Sequence, residues 1–261
     1  MSAVAGQALE GRHALVTGGA RGIGAAIAAA LLAQGARVTL LGRDAARLEA
    51  ACAAHPGRMR AVVADVADEG AVARAFAQAR EGFGPLAILV NNAGQAESAP
   101  FLRTGAELWR RMIDVNLTGT MLCSQAALPD MLAADWGRIV NVASTAGIKG
   151  YAYVAAYCAA KHGVIGLTRA LAAEVARSGV TVNAVCPGYT RTDLLSASIA
   201  NVVARTGRDE EQARSMFAAS SPQGRVLEPE EVAAAVAWLC LPSSASMHGQ
   251  SIPVCGGEVT P

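Results

Sequence analysis

The sequence predicts an α/β fold: a single doubly wound three-layer sandwich on a mainly parallel sheet. Three observations carry this. Short apolar runs alternate with Ala- and Leu-rich stretches of helical length along nearly the whole chain, the pattern of repeated βαβ units. The runs are apolar at almost every position, which suits strands covered on both faces rather than strands with one wet face. Glycines crowd the turn after the first run, where a helix N-terminus can receive an anion.

The elements follow in order. Residues 13–18 (HALVTG) read as a strand and 23–33 as a helix stopped by Gln34-Gly35. Strands at 37–41 and 60–64 alternate with helices at 45–54 and 69–80, and an apolar run follows at 86–90. Beyond it come a long helix at 107–128, a strand at 138–142, a second long helix at 155–177 and a strand at 181–185. Right-handed crossovers between parallel strands then place helices on both faces. Residues 188–222 are richer in Ser, Arg and Thr and weaker in periodicity, and are expected to form a substrate lid over the carboxyl ends of the strands. A helix at 229–240 and a strand at 251–255 close the pattern. Since it never changes character, residues 1–261 are expected to form one domain.

Composition removes several classes of function. Of 261 residues, 52% are hydrophobic and 16% charged, which excludes a disordered chain. Lys and Arg number 22 against 21 Asp and Glu, so the net charge of +1 gives no footprint for nucleic acid or anionic lipid. The six cysteines are scattered, with no Cys-x-x-Cys pair, and no metal site is expected. No apolar run is long enough to span a membrane and the first eleven residues lack a leader pattern, so a cytoplasmic protein is expected.

The residues that carry chemistry cluster at strand ends. Thr17-Gly18-Gly19-Ala20-Arg21-Gly22-Ile23-Gly24 joins the first strand to its helix, and its glycines let a pyrophosphate approach the backbone amides. This makes the sandwich Rossmann-type. Tyr157 and Lys161 stand four apart on a helix and so share a face. Ser144 ends a strand thirteen residues before Tyr157, and Asn116 lies in the preceding long helix. A tyrosine titrates near 10, and lowering that by about three units requires about 4 kcal/mol of differential interaction. A neighbouring ammonium can supply part of it. Lys161 is one of only two lysines, with Lys149, in an Arg-rich chain, which marks a need for a compact ammonium.

The spacing Thr-Gly-x-x-x-Gly-x-Gly, the Asn91-Asn92-Ala93-Gly94 run, and the set Asn116, Ser144, Tyr157 and Lys161 resemble the short-chain dehydrogenase/reductase family over essentially the whole chain. The resemblance implies a catalytic tetrad of those four residues. It also implies a nicotinamide dinucleotide held by Gly18, Arg21, Gly22, Ile23, Gly24, Asp65, Val66, Asn92, Ala93, Gly94, Tyr157, Lys161, Pro187, Gly188, Thr190 and Thr192. Asp65 could instead cap the next helix, and Thr190 or Thr192 the one after Gly188. The implied reaction is hydride transfer to or from a secondary alcohol carbon, with Tyr157 moving the proton. A homotetramer packed through the two long helices and the C-terminal region is also implied.

The second strand ends in Leu41-Gly42-Arg43, with no carboxylate where NAD's ribose would bind, so Arg43 with Arg21 is expected to clamp a 2′-phosphate and favour NADPH over NADH. Asp44 reads as a helix cap. Gln95, Ala146, Val154 and Tyr189 are expected to line the substrate pocket. The runs Gly137 to Ser144 and Ala184 to Gly188 resemble ketoreductases of 3-oxoacyl thioesters on acyl carrier protein or coenzyme A. The segment 188–222 and Ala155-Ala156-Tyr157 resemble NAD-dependent 3-hydroxybutyrate dehydrogenases. Those carry His two residues after the Ser and Lys three before the Tyr, whereas Ala146 and Val154 stand here. An apolar wall disfavours a free carboxylate, so a thioester or bulky ketone is the expected substrate. A non-catalytic NADP-sensing protein is the alternative from another class, and the intact tetrad speaks against it.

Overall fold

The computed structural model describes residues 7–260; most of the N-terminal stretch read for a leader lies outside them. Seven strands form one sheet in the order β3-β2-β1-β4-β5-β6-β7, and every neighbouring pair is parallel. The strands are β1 (His13–Thr17), β2 (Arg37–Gly42), β3 (Met59–Val63), β4 (Ile88–Asn91), β5 (Gly137–Val142), β6 (Val180–Pro187) and β7 (Ser251–Val254). The sheet is thus wholly rather than mainly parallel.

The continuous apolar runs have a simple cause. In β1, Ala14 and Val16 point into a core shared with α1 (Gly22–Ala33) and α9 (Pro229–Cys240), while Leu15 between them points into the opposite core. That second core is closed by α3 (Glu69–Phe83), α5 (Gly119–Ala133) and α6 (Ala155–Val175). Successive side chains leave a strand on opposite faces, so a strand with a core on each side is apolar at most positions. Helix starts are fixed locally. Asp44 caps α2 (Ala45–Ala53) by accepting from the Arg47 amide at 3.1 Å, and Asp68 caps α3 by accepting from the Ala71 amide at 2.8 Å. Pro229 opens α9, where the Glu231 carboxylate reaches back to the Glu228 amide at 2.8 Å.

Two expectations need correction. The helix expected over 107–128 is α4 (Ala106–Ile113) followed by α5, joined by a π-helical turn at Asp114–Thr118. The joint is invisible to hydrophobic periodicity, because one added residue per turn keeps the helix running while rotating its face. Residues 188–222 are better ordered than their weak periodicity suggests, forming α7 (Asp193–Thr206) and α8 (Glu210–Ala218). The two helices bury Leu195, Ile199 and Ala213 against each other and against Tyr189 and Phe217, a core too small for a long periodic stripe.

Candidate active site

The strand order reverses between β1 and β4, and the crevice at such a point, beyond the carboxyl ends of the strands, is where open α/β sheets bind ligands. The glycine-rich turn sits there. Gly18 and Gly22 take left-handed backbone angles, φ +64 and +50. A Cβ on Gly24 would stand 2.2 Å from the Gly18 carbonyl oxygen, so the turn can be this tight only without a side chain. Asn92 at the end of β4 secures it, Nδ2 donating to the carbonyls of Thr17 at 2.9 Å and Gly18 at 3.1 Å. The Thr17 hydroxyl accepts in return from the amides of Asn92 (3.0 Å) and Ala93 (2.9 Å). The Asn92 side chain is therefore occupied with the turn itself.

Asn91 faces into the sheet rather than the crevice. Its Nδ2 donates to Asn141 Oδ1 at 2.8 Å and Ser124 Oγ at 3.1 Å, and Asn141 Nδ2 donates onward to Thr168 Oγ1 at 2.9 Å. This buried polar ladder joins β4 and β5 to α5 and α6. Neither Asn141, Ser124 nor Thr168 stood out in the sequence, where each is an ordinary polar residue inside an apolar element.

Three of the four candidate catalytic residues surround the ends of β4 and β5. Ser144 lies two residues past β5, and its Oγ accepts from the Ala146 amide at 3.0 Å, which leaves its own proton free to donate. Tyr157 and Lys161 share a face of α6 as their spacing predicts, the Lys161 ammonium 5.7 Å from the Tyr157 ring centre. Burial pushes the Tyr157 phenol up to about 12, with the Ser144 hydroxyl pulling the other way. Lys161 is buried with no carboxylate against it among the described residues, and burial pulls its ammonium down to about 8. Its Nζ donates to the Val142 carbonyl at 2.8 Å. Asn116 sits in the π-helical turn, fully buried, with Nδ2 donating to the carbonyls of Gln95 and Met112, both at 2.9 Å, and Oδ1 accepting from the Gln95 amide at 3.3 Å. A Cβ on Gly94 would stand 2.8 Å from Asn116 Oδ1 and 3.6 Å from Lys161 Nζ, so this glycine brings Asn116 and Lys161 to one spot.

The basic residues near the end of β2 are arranged differently from the expected pair. Arg21 bonds Asp193 at 2.7 Å in the first turn of α7, and Arg47 rather than Arg43 shares that carboxylate, at 3.7 Å. Arg43 stands 3.7 Å from Asp65, whose other oxygen accepts from the Ala67 amide at 3.0 Å, so Asp65 closes a turn while Asp68 is the cap of α3. All three arginines are exposed. Asp193 and Arg47 were missed because only the fold brings residues so distant in sequence to the glycine turn. Val66 is buried with its side chain against Gly119, and Ile23 is half-buried against the first core. Thr190 bonds back to the Gly188 carbonyl at 3.0 Å, and Thr192 occupies the N-cap position of α7 without capping it, its hydroxyl lying 3.3 Å from the Thr190 carbonyl. Ala146 is buried, and Gln95, Val154 and Tyr189 are partly exposed beside these residues. Among the described residues no group of His, Cys, Asp and Glu could hold a metal ion, and no helix is long and apolar enough to cross a membrane.

A glycine cradle at the switch point, beside a Ser, Tyr and Lys set on the next strand and helix, defines an oxidoreductase of the nicotinamide-binding class. The chain belongs to the short-chain dehydrogenase family, whose model, described as short chain dehydrogenase, matches residues 12–219. Among relatives, it is 40% identical to the protein named as ketoacyl reductase 1 of the granaticin polyketide synthase of Streptomyces violaceoruber, over 94% of this chain and 92% of that one. It is 38% identical to D-beta-hydroxybutyrate dehydrogenase of Cupriavidus necator, over 96% and 99% of the two chains. A solved structure of an actinorhodin polyketide ketoreductase variant with NADPH superimposes with a TM-score of 0.91 at 36% identity, covering 95% of this chain and 97% of that one.

Proposed function

We propose that this protein is an NADPH-dependent ketoreductase that reduces an uncharged ketone, a 3-oxoacyl thioester or a ketone of similar bulk, to a secondary alcohol. The observation that carries the reading is the meeting of Asn116 and Lys161 at Gly94, with the Tyr157 ring beside Lys161 and the Ser144 hydroxyl acting on Tyr157, and with apolar Ala146 and Val154 where a free acid would need cations. The site fits a dinucleotide. Gly18, Gly22 and Gly24 let the turn lie against Asn92 and Thr192 so that backbone rather than side chains would face a pyrophosphate at the start of α1, and Gly94 lets the backbone lie against Asn116 near Lys161. The nicotinamide, when bound, supplies the hydride.

The chain's own residues would do the rest. Tyr157, protonated at neutral pH, is the proton donor to the carbonyl oxygen. Ser144 donates its free proton to the same oxygen and so favours the charge that develops there. Lys161 spends one N–H on Val142 and keeps two for a ribose hydroxyl, while its charge favours the phenolate left when Tyr157 gives up its proton. Asn116 fixes Gln95 and would anchor a water relaying protons towards Lys161. Arg43 and Arg21 would receive the 2′-phosphate by giving up Asp65 (3.7 Å) and Asp193 (2.7 Å), while Asp44 is committed to capping α2 and to Arg47 at 3.1 Å. A tetrameric assembly in the cytoplasm belongs to the same reading.

The test is to follow nicotinamide absorbance with acetoacetyl-CoA and NADPH or NADH. Oxidation of NADPH alone supports the reading, and Tyr157→Phe should abolish turnover while cofactor binding survives. Retained turnover in that variant would remove Tyr157 from the mechanism. The likeness to the Cupriavidus dehydrogenase favours a second reading, NAD-dependent oxidation of a 3-hydroxy acid. Activity with NADH only, and with free 3-hydroxybutyrate, would establish it in place of the first. Cofactor binding without turnover on any ketone would instead indicate a sensor.

A further inference from the structure

The C-terminal segment places a carboxylate behind the site. The Glu258 side chain is only 2% exposed. Its Oε1 accepts from the Tyr151 phenol at 2.5 Å and lies 3.1 Å from Lys149 Nζ. Its Oε2 packs on the turn after β6, where a Cβ on Gly188 would come within 3.1 Å. A carboxylate can only accept, so the Tyr151 proton is committed to Glu258. The 2.7 Å contact between Tyr151 and the Thr145 hydroxyl must then have Thr145 as the donor. Both bonds thereby have a fixed direction, from Thr145 to Tyr151 to Glu258. Lys149, 3.1 Å away, supplies a countercharge to the buried carboxylate.

Thr145 is buried and directly follows Ser144. The Tyr151 ring meets the Tyr189 ring edge-on at 6.2 Å, and Tyr189 meets Phe217 of α8 at 4.8 Å. One carboxylate thus ties together the turn behind Ser144, the loop leading to Tyr157 and the aromatic wall beside α8. That loop has a cost of its own, since Tyr153 is exposed and held at φ +68, a conformation that side chains seldom adopt.

We propose that Glu258 is a positioning residue for the Ser144 end of the site, acting through Tyr151 and Thr145. Only the kinetic half of its test rests on the proposed ketone reduction. The experiment compares full-length wild type, Glu258→Ala, Glu258→Gln and Tyr151→Phe by amide hydrogen exchange over residues 145–153 and by steady-state kinetics with NADPH. Glu258→Ala and Tyr151→Phe should speed exchange in that segment about tenfold, because the bond that closes the loop is gone. They should lower kcat about tenfold while leaving the KM for NADPH within about twofold, a split that general destabilisation does not produce. Glu258→Gln keeps an oxygen that accepts from Tyr151 and should stay within about threefold of wild type in both readouts. Unchanged exchange in both Glu258→Ala and Tyr151→Phe overturns the proposal, and so does a Glu258→Gln that behaves like Glu258→Ala. If wild type reduces no ketone, the proposed function fails while exchange still decides the role of Glu258. Should Glu258→Ala not fold, Thr145→Val removes the donor with its shape kept, and normal exchange in that variant is equally decisive against the proposal.

Discussion

Replacing Lys161 by Met should abolish activity and change how stability depends on pH. The ammonium is buried without a carboxylate, and burial pulls it from 10.5 to about 8. At about 1.4 kcal/mol per pH unit, the folded state bears roughly 3 kcal/mol of penalty for keeping Lys161 charged at neutral pH. The folded value lies below the unfolded one, so between about 8 and 10.5 the unfolded chain holds the extra proton. Stability contributed by this group therefore rises with pH through that window, and the penalty is complete below it. Lys161→Met removes the penalty but strands the Val142 carbonyl, at a cost of about 1–3 kcal/mol, so the two proteins should be close in stability near neutral pH. The pH dependence separates them: from about pH 7 to about pH 10 wild type should gain about 2 kcal/mol on the variant. Tyr157, raised to about 12, titrates above that range and does not confuse the comparison. Urea denaturation of both proteins at the two pH values measures the difference, alongside complete loss of ketone reduction in the variant. Parallel stabilities across the range would show that Lys161 is not a desolvated ammonium, and the mechanistic part given to it would fall.

Three further outcomes follow from the same geometry. Arg43→Ala should raise the KM for NADPH about tenfold or more and leave that for NADH within about twofold, as expected for losing one charged hydrogen bond to phosphate; an unchanged ratio of the two would remove Arg43 from the clamp. Gly24→Ala should cost about 1–3 kcal/mol of stability and abolish cofactor binding, since its Cβ would collide with the Gly18 carbonyl; a fluorescence titration with NADPH and a thermal melt report both. Ala146→His with Val154→Lys should raise kcat/KM for acetoacetate about tenfold or more by giving a carboxylate two charged partners. No gain there would mean that these positions do not face the substrate.

Much of the site was legible because it is local. Tyr157 and Lys161 stand one helical turn apart and share a face wherever that helix lies. The glycine turn follows directly from the strand before it, and Asp44 caps its helix three residues from the amide it accepts. The π-helical turn that sets Asn116 was not legible, because its added residue leaves the apolar pattern intact. Nor were the helices of 188–222, whose few buried positions are too short a series to show a period. The Arg21 and Arg47 bonds to Asp193 join segments far apart in the chain, so no spacing announces them.

The sequence by itself determined the class of the molecule: alternating elements, strands apolar on both faces, and a tetrad in register with a glycine turn. Such signals follow from the backbone period and from contacts within a turn or two, and folding only carries them out. The tertiary structure alone decided which charges meet. It pairs Asp193 with Arg21 rather than leaving both arginines free, and it buries Asn91 in a polar ladder. It also sets Glu258 against Tyr151 and Lys149, more than a hundred residues away. Such contacts depend on where whole elements come to rest on the sheet, and the packing of its two cores fixes that.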